Sequence, residues 1–198
     1  MDTTVCYHDA AGVQNTEATL AAARRRAAEL GIRQLVVATT TGQTALACSE
    51  RMPEMERIVG VTMHAVDEEI FVQRPSGRMR APHPETIEKA RAKGVVFYTG
   101  VHSLRGAVSS AIQQRFGGVQ AVDVIADTYR TFSTGTKVAV ECVLMAADAR
   151  LLDMQEDVVS LGGWRGGADT ALVIRPAYTH GFFALRVREV IAMPRDGE

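Results

Sequence analysis

Four short stretches bring together residue types that could hold a small charged molecule. Thr39-Thr40-Thr41-Gly42 follows an apolar run at 35–38, and Thr62-Met63-His64 follows one at 58–61. Thr99-Gly100-Val101-His102-Ser103, with Arg105 just beyond, follows the run at 95–98, and Gly162-Gly163-Trp164-Arg165-Gly166-Gly167-Ala168-Asp169 follows that at 158–161. Donors dominate: hydroxyls, two imidazoles, two guanidiniums and the backbone N–H groups of helix starts. Such a set suits phosphate or carboxylate, each charge-assisted contact contributing about 1.5–3 kcal/mol once desolvated. Plainer roles stand beside this one. The threonines can simply cap a helix, a loop histidine is commonly an ordinary polar residue, and Arg165 can pair with Asp169.

A second chemistry uses His64, His102 and Asp169 as the catalytic groups of a small enzyme, with or without Zn²⁺ or Mn²⁺, since imidazole and carboxylate ligate both. No two of these residues share a short ligand spacing such as H-x-x-x-H, so no metal and no cofactor is assigned. Cys48 and Cys142 fall on helix faces that read as buried, which argues against nucleophilic roles. Glu141 is a carboxylate in the most apolar helix and needs a partner, either Lys137 one turn earlier or a donor on a ligand. The glycine loop lacks the G-K-[ST] of a P-loop, and G-x-G-x-x-G follows no strand.

The elements that must position these residues alternate in type. A helix opens at Asn15 or Thr16 and stops at Gly31, with Leu20, Ala23, Ala27 and Leu30 at helical period. After the strand at 35–38 a helix runs from about Gln43 to Met52, where Pro53 ends it. Pro84 opens another, which ends at Gly94. Leu104, Ala107, Val108, Ala111, Ile112 and Phe116 form an amphipathic helix closed by Gly117-Gly118. A short helix is expected over 119–129, then a long apolar one over 135–150 capped by Thr134. Strands follow at 158–161 and 170–174, with a last strand or ordered arm in 182–193. Residues 1–14 are expected to be loose, and 64–82 to form an inserted hairpin or flap.

Strands separated by helices imply right-handed crossovers, hence an α/β fold in three layers, α/β/α, with a mostly parallel sheet. In such sheets ligands bind beyond the carboxyl ends of the strands, where all four loops fall. A length of 198 residues with 46% hydrophobic content predicts one domain. The formal charge of −1 offers no basic field for nucleic acid or an anionic membrane surface. Three widely spaced cysteines without a C-x-x-C pair argue against a disulfide framework, and no apolar run suits a signal peptide or a membrane helix. A cytoplasmic protein is expected.

The run VVATTTGQTAL followed by IVGVT resembles the carboxy-terminal α/β domain of pyruvate kinase. Through NTEATLAAARRRAAELGI, GTKVAVECVLMAADA and GGWRGGADTALVIRPA the whole chain more closely resembles uncharacterised stand-alone proteins of that fold. In some pyruvate kinases the corresponding loop holds a phosphate of a sugar bisphosphate effector. The resemblance therefore implies a phosphate seat at Thr39, Thr40, Thr41, Gly42 and Thr44, although Gln43 stands where those kinases often have arginine. It also implies a homo-oligomer. The kinase's catalytic residues belong to a barrel of ~250 residues, so phosphoryl transfer from phosphoenolpyruvate is not expected. The partner expected is a small anionic or phosphorylated metabolite, held by these residues with Ser103, Arg105, Gly163, Arg165 and Gly166.

Overall fold

The protein is described by a computed structural model over residues 3–64, 82–104 and 106–196. Arg105 and all but the end residues of the expected 64–82 excursion lie outside the described residues. One seven-stranded sheet organises the rest, in the order β1-β7-β6-β5-β2-β3-β4. The strands are β1 (Cys6–His8), β2 (Gln34–Ala38), β3 (Arg57–Thr62), β4 (Val95–Thr99), β5 (Val158–Gly162), β6 (Thr170–Arg175) and β7 (Arg186–Pro194). Only β6 runs against its neighbours; every other adjacent pair is parallel.

Strand periodicity decides which helices cover which face. On β2, Leu35 and Val37 join Leu20, Ala23 and Ala27 of α1 (Thr16–Leu30), Ala45 and Cys48 of α2 (Gln43–Arg51), and Ala90 of α3 (Pro84–Ala92). Val36 points to the other face. There it joins Val59 and Leu172 against Ala126 of α5 (Ala121–Arg130) and Val140, Val143 and Leu144 of α6 (Thr134–Asp148). Burial on both faces explains why the central strands read as continuous apolar runs. The three layers expected from the sequence are therefore present, with α6 buried along nearly its whole length.

Three local expectations need correction. The segment expected to be loose contains β1, whose Cys6 and His8 lie opposite Ala192 and Pro194 of β7, while the His8 carbonyl accepts from Arg195 N–H at 2.8 Å. Three residues are too few to show a period. The cap of α6 is Ser133 rather than Thr134: its Oγ accepts from Thr136 N–H at 2.9 Å. The last strand expected in 182–193 is present as β7, reached through a 3-10 turn (Thr179–Ala184) and paired with β6 across two register shifts. The third concerns α4 (Ala107–Phe116), which forms as its period predicts. Leu104, just before it, is buried, but Val108, Ile112 and Phe116 are 71%, 42% and 74% exposed. The apolar stripe is real, and among the described residues nothing covers it.

Candidate anion site at the strand ends

The loop after β2 starts with Thr39, which continues the ladder by donating its N–H to Val61 O at 2.9 Å. Its side chain is only 5% exposed, and Oγ1 finds no hydrogen-bond partner among the described residues. A buried hydroxyl without a partner costs about 1–3 kcal/mol, so a threonine is an expensive choice unless something else meets it. Thr40 and Thr41 are half-buried and Thr44 is buried. Thr41 Oγ1 accepts weakly from Gln43 N–H at 3.4 Å, and no side chain caps the start of α2. Gly42 is needed there twice over. Its φ of 87° suits glycine, and a Cβ would come within 2.8 Å of Ile87 Cγ1 on α3.

The neighbouring strand, β5, runs into the glycine loop. Gly163 serves the loop's own packing, since a Cβ would meet the Gly167 carbonyl at 2.7 Å. Arg165 and Gly166 form the exposed tip. Arg165 holds φ near 60°, a left-handed conformation that side chains adopt at a cost of about 1–2 kcal/mol. Its guanidinium lies over the Trp164 ring at 5.8 Å and has no carboxylate partner among the described residues. The alternative pairing with Asp169 does not form.

Asp169 has other work. Its carboxylate accepts from Gly12 N–H at 3.0 Å, Trp164 N–H at 3.1 Å and the Thr170 hydroxyl at 2.9 Å. Burial raises its pKa, against the pull of these three donors. It also stands before β6, three strand spacings from β3, or about 14 Å at ~4.8 Å each. The triad of His64, His102 and Asp169 is therefore not assembled. Among the described residues no group of three or more His, Cys, Asp and Glu side chains is placed to hold a metal ion. Cys48 and Cys142 are fully buried, and burial pushes the Cys48 thiol up to about 12 and Cys142 higher still, so neither is a nucleophile.

The two histidines do meet. Their rings stand edge to face, centroids 5.1 Å apart, and His64 Nδ1 is buried without a hydrogen-bond partner among the described residues. His102 Nδ1 lies 3.6 Å from Glu141 Oε2. Glu141 accepts from Leu104 N–H at 2.9 Å through Oε1 and pairs through Oε2 with the Lys137 ammonium, as the i,i+4 spacing foretold. Burial lowers the Lys137 pKa and Glu141 opposes that shift. Between the two loops the Thr62 and Thr99 hydroxyls bond each other at 2.5 Å. Ser103 is half-buried in the loop whose Leu104 N–H meets Glu141. Lys137 was expected as the partner of Glu141, and the fold adds His102 to that pair. The lysine's signal was its place beside Val138, Ala139 and Val140, but nothing local ties it to His102.

The fold is an α/β domain built on a mainly parallel sheet, with the threonine, glycine and histidine loops at its carboxyl edge. The family described as "Pyruvate kinase, alpha/beta domain" matches residues 17–174, and the chain belongs to it. No described helix is long and apolar enough to cross a membrane.

Proposed function

We propose that this protein binds a small phosphorylated or otherwise anionic metabolite over the Thr39–Thr44 loop, and that it does so without pyruvate kinase chemistry. The observation that carries this reading is the Thr39 hydroxyl, buried and without a hydrogen-bond partner among the described residues, beside a helix start met only by the weak Thr41 contact. The first N–H groups of a helix have no internal partner and carry the positive end of its dipole, so an anion there satisfies both. Arg165, exposed on the loop of the adjacent strand and without an acidic partner among the described residues, supplies a cation that the threonine loop lacks. Titration calorimetry against inorganic phosphate, sugar phosphates and nucleotides tests it, with Thr39→Val as the informative variant. Valine keeps the shape and removes the unsatisfied oxygen. Binding should fall at least tenfold, while the ligand-free protein gains about 1 kcal/mol in denaturant unfolding. Absence of binding across the panel, or binding unchanged in Thr39→Val and Thr41→Ala, removes the site.

A second reading is a small enzyme in which His102, facing a buried carboxylate, moves a proton, with Lys137 and Glu141 replacing Asp169 as its support. It predicts turnover in phosphate-ester or lyase screens that His102→Gln abolishes while leaving ligand binding in place. Screens unaltered by that variant rule the reading out.

A further inference from the structure

We propose that His64 is a second contact for the ligand of the strand-end site: the molecule bound there sets its anionic group at the start of α2 and, about five carbons away, a hydrogen-bonding group against His64 Nδ1. This inference rests on the anion seat proposed above. Thr39 Oγ1 and His64 Nδ1 are both buried without a hydrogen-bond partner among the described residues, and they stand past the ends of neighbouring strands, β2 and β3. Thr39 N–H extends the ladder between those strands to Val61 O, which puts Thr39 beside Thr62. With strands ~4.8 Å apart and ~3.3 Å per residue, the backbones of Thr39 and His64 are about 8 Å apart. Inorganic phosphate seated at the helix start is too short to reach across. A body of about five carbons, at ~1.5 Å per bond, spans the gap.

The residues around His64 hold its ring without serving that nitrogen. The nearest hydroxyl on its own strand is already engaged, since Thr62 Oγ1 bonds Thr99 Oγ1 at 2.5 Å. His102 stands edge to face with His64 at 5.1 Å, and His102 Nδ1 lies 3.6 Å from Glu141 Oε2. Glu141 is fixed in turn by Leu104 N–H at 2.9 Å and by the Lys137 ammonium. From the core outward, Lys137, Glu141, His102 and His64 make one line of contacts, and its last nitrogen is the atom that meets nothing described. A ring held from behind gives up little freedom when a ligand arrives, so its one hydrogen bond counts more fully toward affinity. Nδ1 accepts from a hydroxyl in one tautomer and donates to a carbonyl or carboxylate in the other, which sets the chemistry of the ligand's far end.

Titration calorimetry with inorganic phosphate, glycerol 3-phosphate and ribose 5-phosphate separates the two contacts. Ribose 5-phosphate should bind about tenfold tighter than phosphate, and glycerol 3-phosphate little better than phosphate. His64→Phe keeps a ring against His102 and should erase the ribose 5-phosphate gain while leaving phosphate binding as it was. Thr39→Val should weaken all three ligands. His64→Asn, with an amide in the place of Nδ1, should restore most of the gain. In the unaltered protein, nitrogen NMR of the imidazoles should show the His64 Nδ1 resonance move with ribose 5-phosphate and stay still with phosphate. A gain that survives His64→Phe, or a His64 Nδ1 resonance unmoved by saturating ribose 5-phosphate, overturns the proposal and leaves that nitrogen to water. Absence of phosphate binding with the His64 response intact would strike the seat at α2 instead and keep His64 as a ligand contact.

Discussion

Two buried carboxylates stand at the same edge of the sheet, Asp169 before β6 and Glu141 opposite the end of β4, and they are satisfied in different ways. Asp169 takes two backbone N–H groups and a hydroxyl. Beyond it, Thr170 bonds Ser133 at 3.0 Å, so one carboxylate ties the N-terminal segment, the β5–β6 loop and the start of α6. Glu141 takes one N–H and leaves its other oxygen to Lys137 and the approach of His102. Backbone donors cannot leave, but side chains can exchange protons and partners. A carboxylate fixed by the main chain behaves as a clasp. One shared among side chains, beside His102, can respond to a ligand.

Removing the clasp should have the largest effect. Asp169→Ala strands two N–H groups and a hydroxyl, and should cost about 3–5 kcal/mol in denaturant unfolding, with Cys6 becoming reactive to thiol reagents as β1 detaches. A loss under 1 kcal/mol would erase the distinction drawn here. Next comes Lys137→Met, which takes the ammonium away from the buried Glu141 carboxylate at a cost of about 3 kcal/mol at neutral pH. Lys137→Met with Glu141→Gln should recover most of that loss. A double-mutant cycle showing no coupling would make the pair structural decoration.

The smallest effect is the pH dependence at the clasp. Burial lowers the pKa of His8, whose Nε2 meets the Thr19 hydroxyl at 2.9 Å, against the attraction of Asp169 and Asp9. A depressed histidine contributes stability that is present above its ordinary value of 6.5 and is lost as pH falls through the folded value. Asp169 is raised, so its contribution is complete below the ordinary 3.8 and declines as pH climbs through the folded value. The protein should therefore lose stability below pH 6.5 through His8, and His8→Gln should flatten that slope in melts recorded across the range.

Much of the architecture was legible because burial on both faces writes itself into a strand as an unbroken apolar run, as at 35–38 and 158–161. The helices were legible from period and stops. What escaped had no local trace. β1 is three residues long and held by Asp169, whose bond to Gly12 spans 157 residues. The Lys137–Glu141 pair could be read because its members sit one helical turn apart, but His102 reaches Glu141 only through the fold. Asp169 looked catalytic for the reason that makes it structural: a carboxylate beside glycines finds exposed N–H groups to bind. In α4 the period told which side is apolar, but not what that side would meet.

The single reversed strand has a mechanical consequence. By turning the chain between β5 and β7 it leaves β1 and β7 side by side and pointing the same way, with Cys6 at the start of one and Pro194 at the end of the other. Tension applied between residues 6 and 194 would then pull the two strands along their length. Their hydrogen bonds would be loaded together in shear rather than opened one after another, and this thin edge would resist force better than its three paired positions suggest.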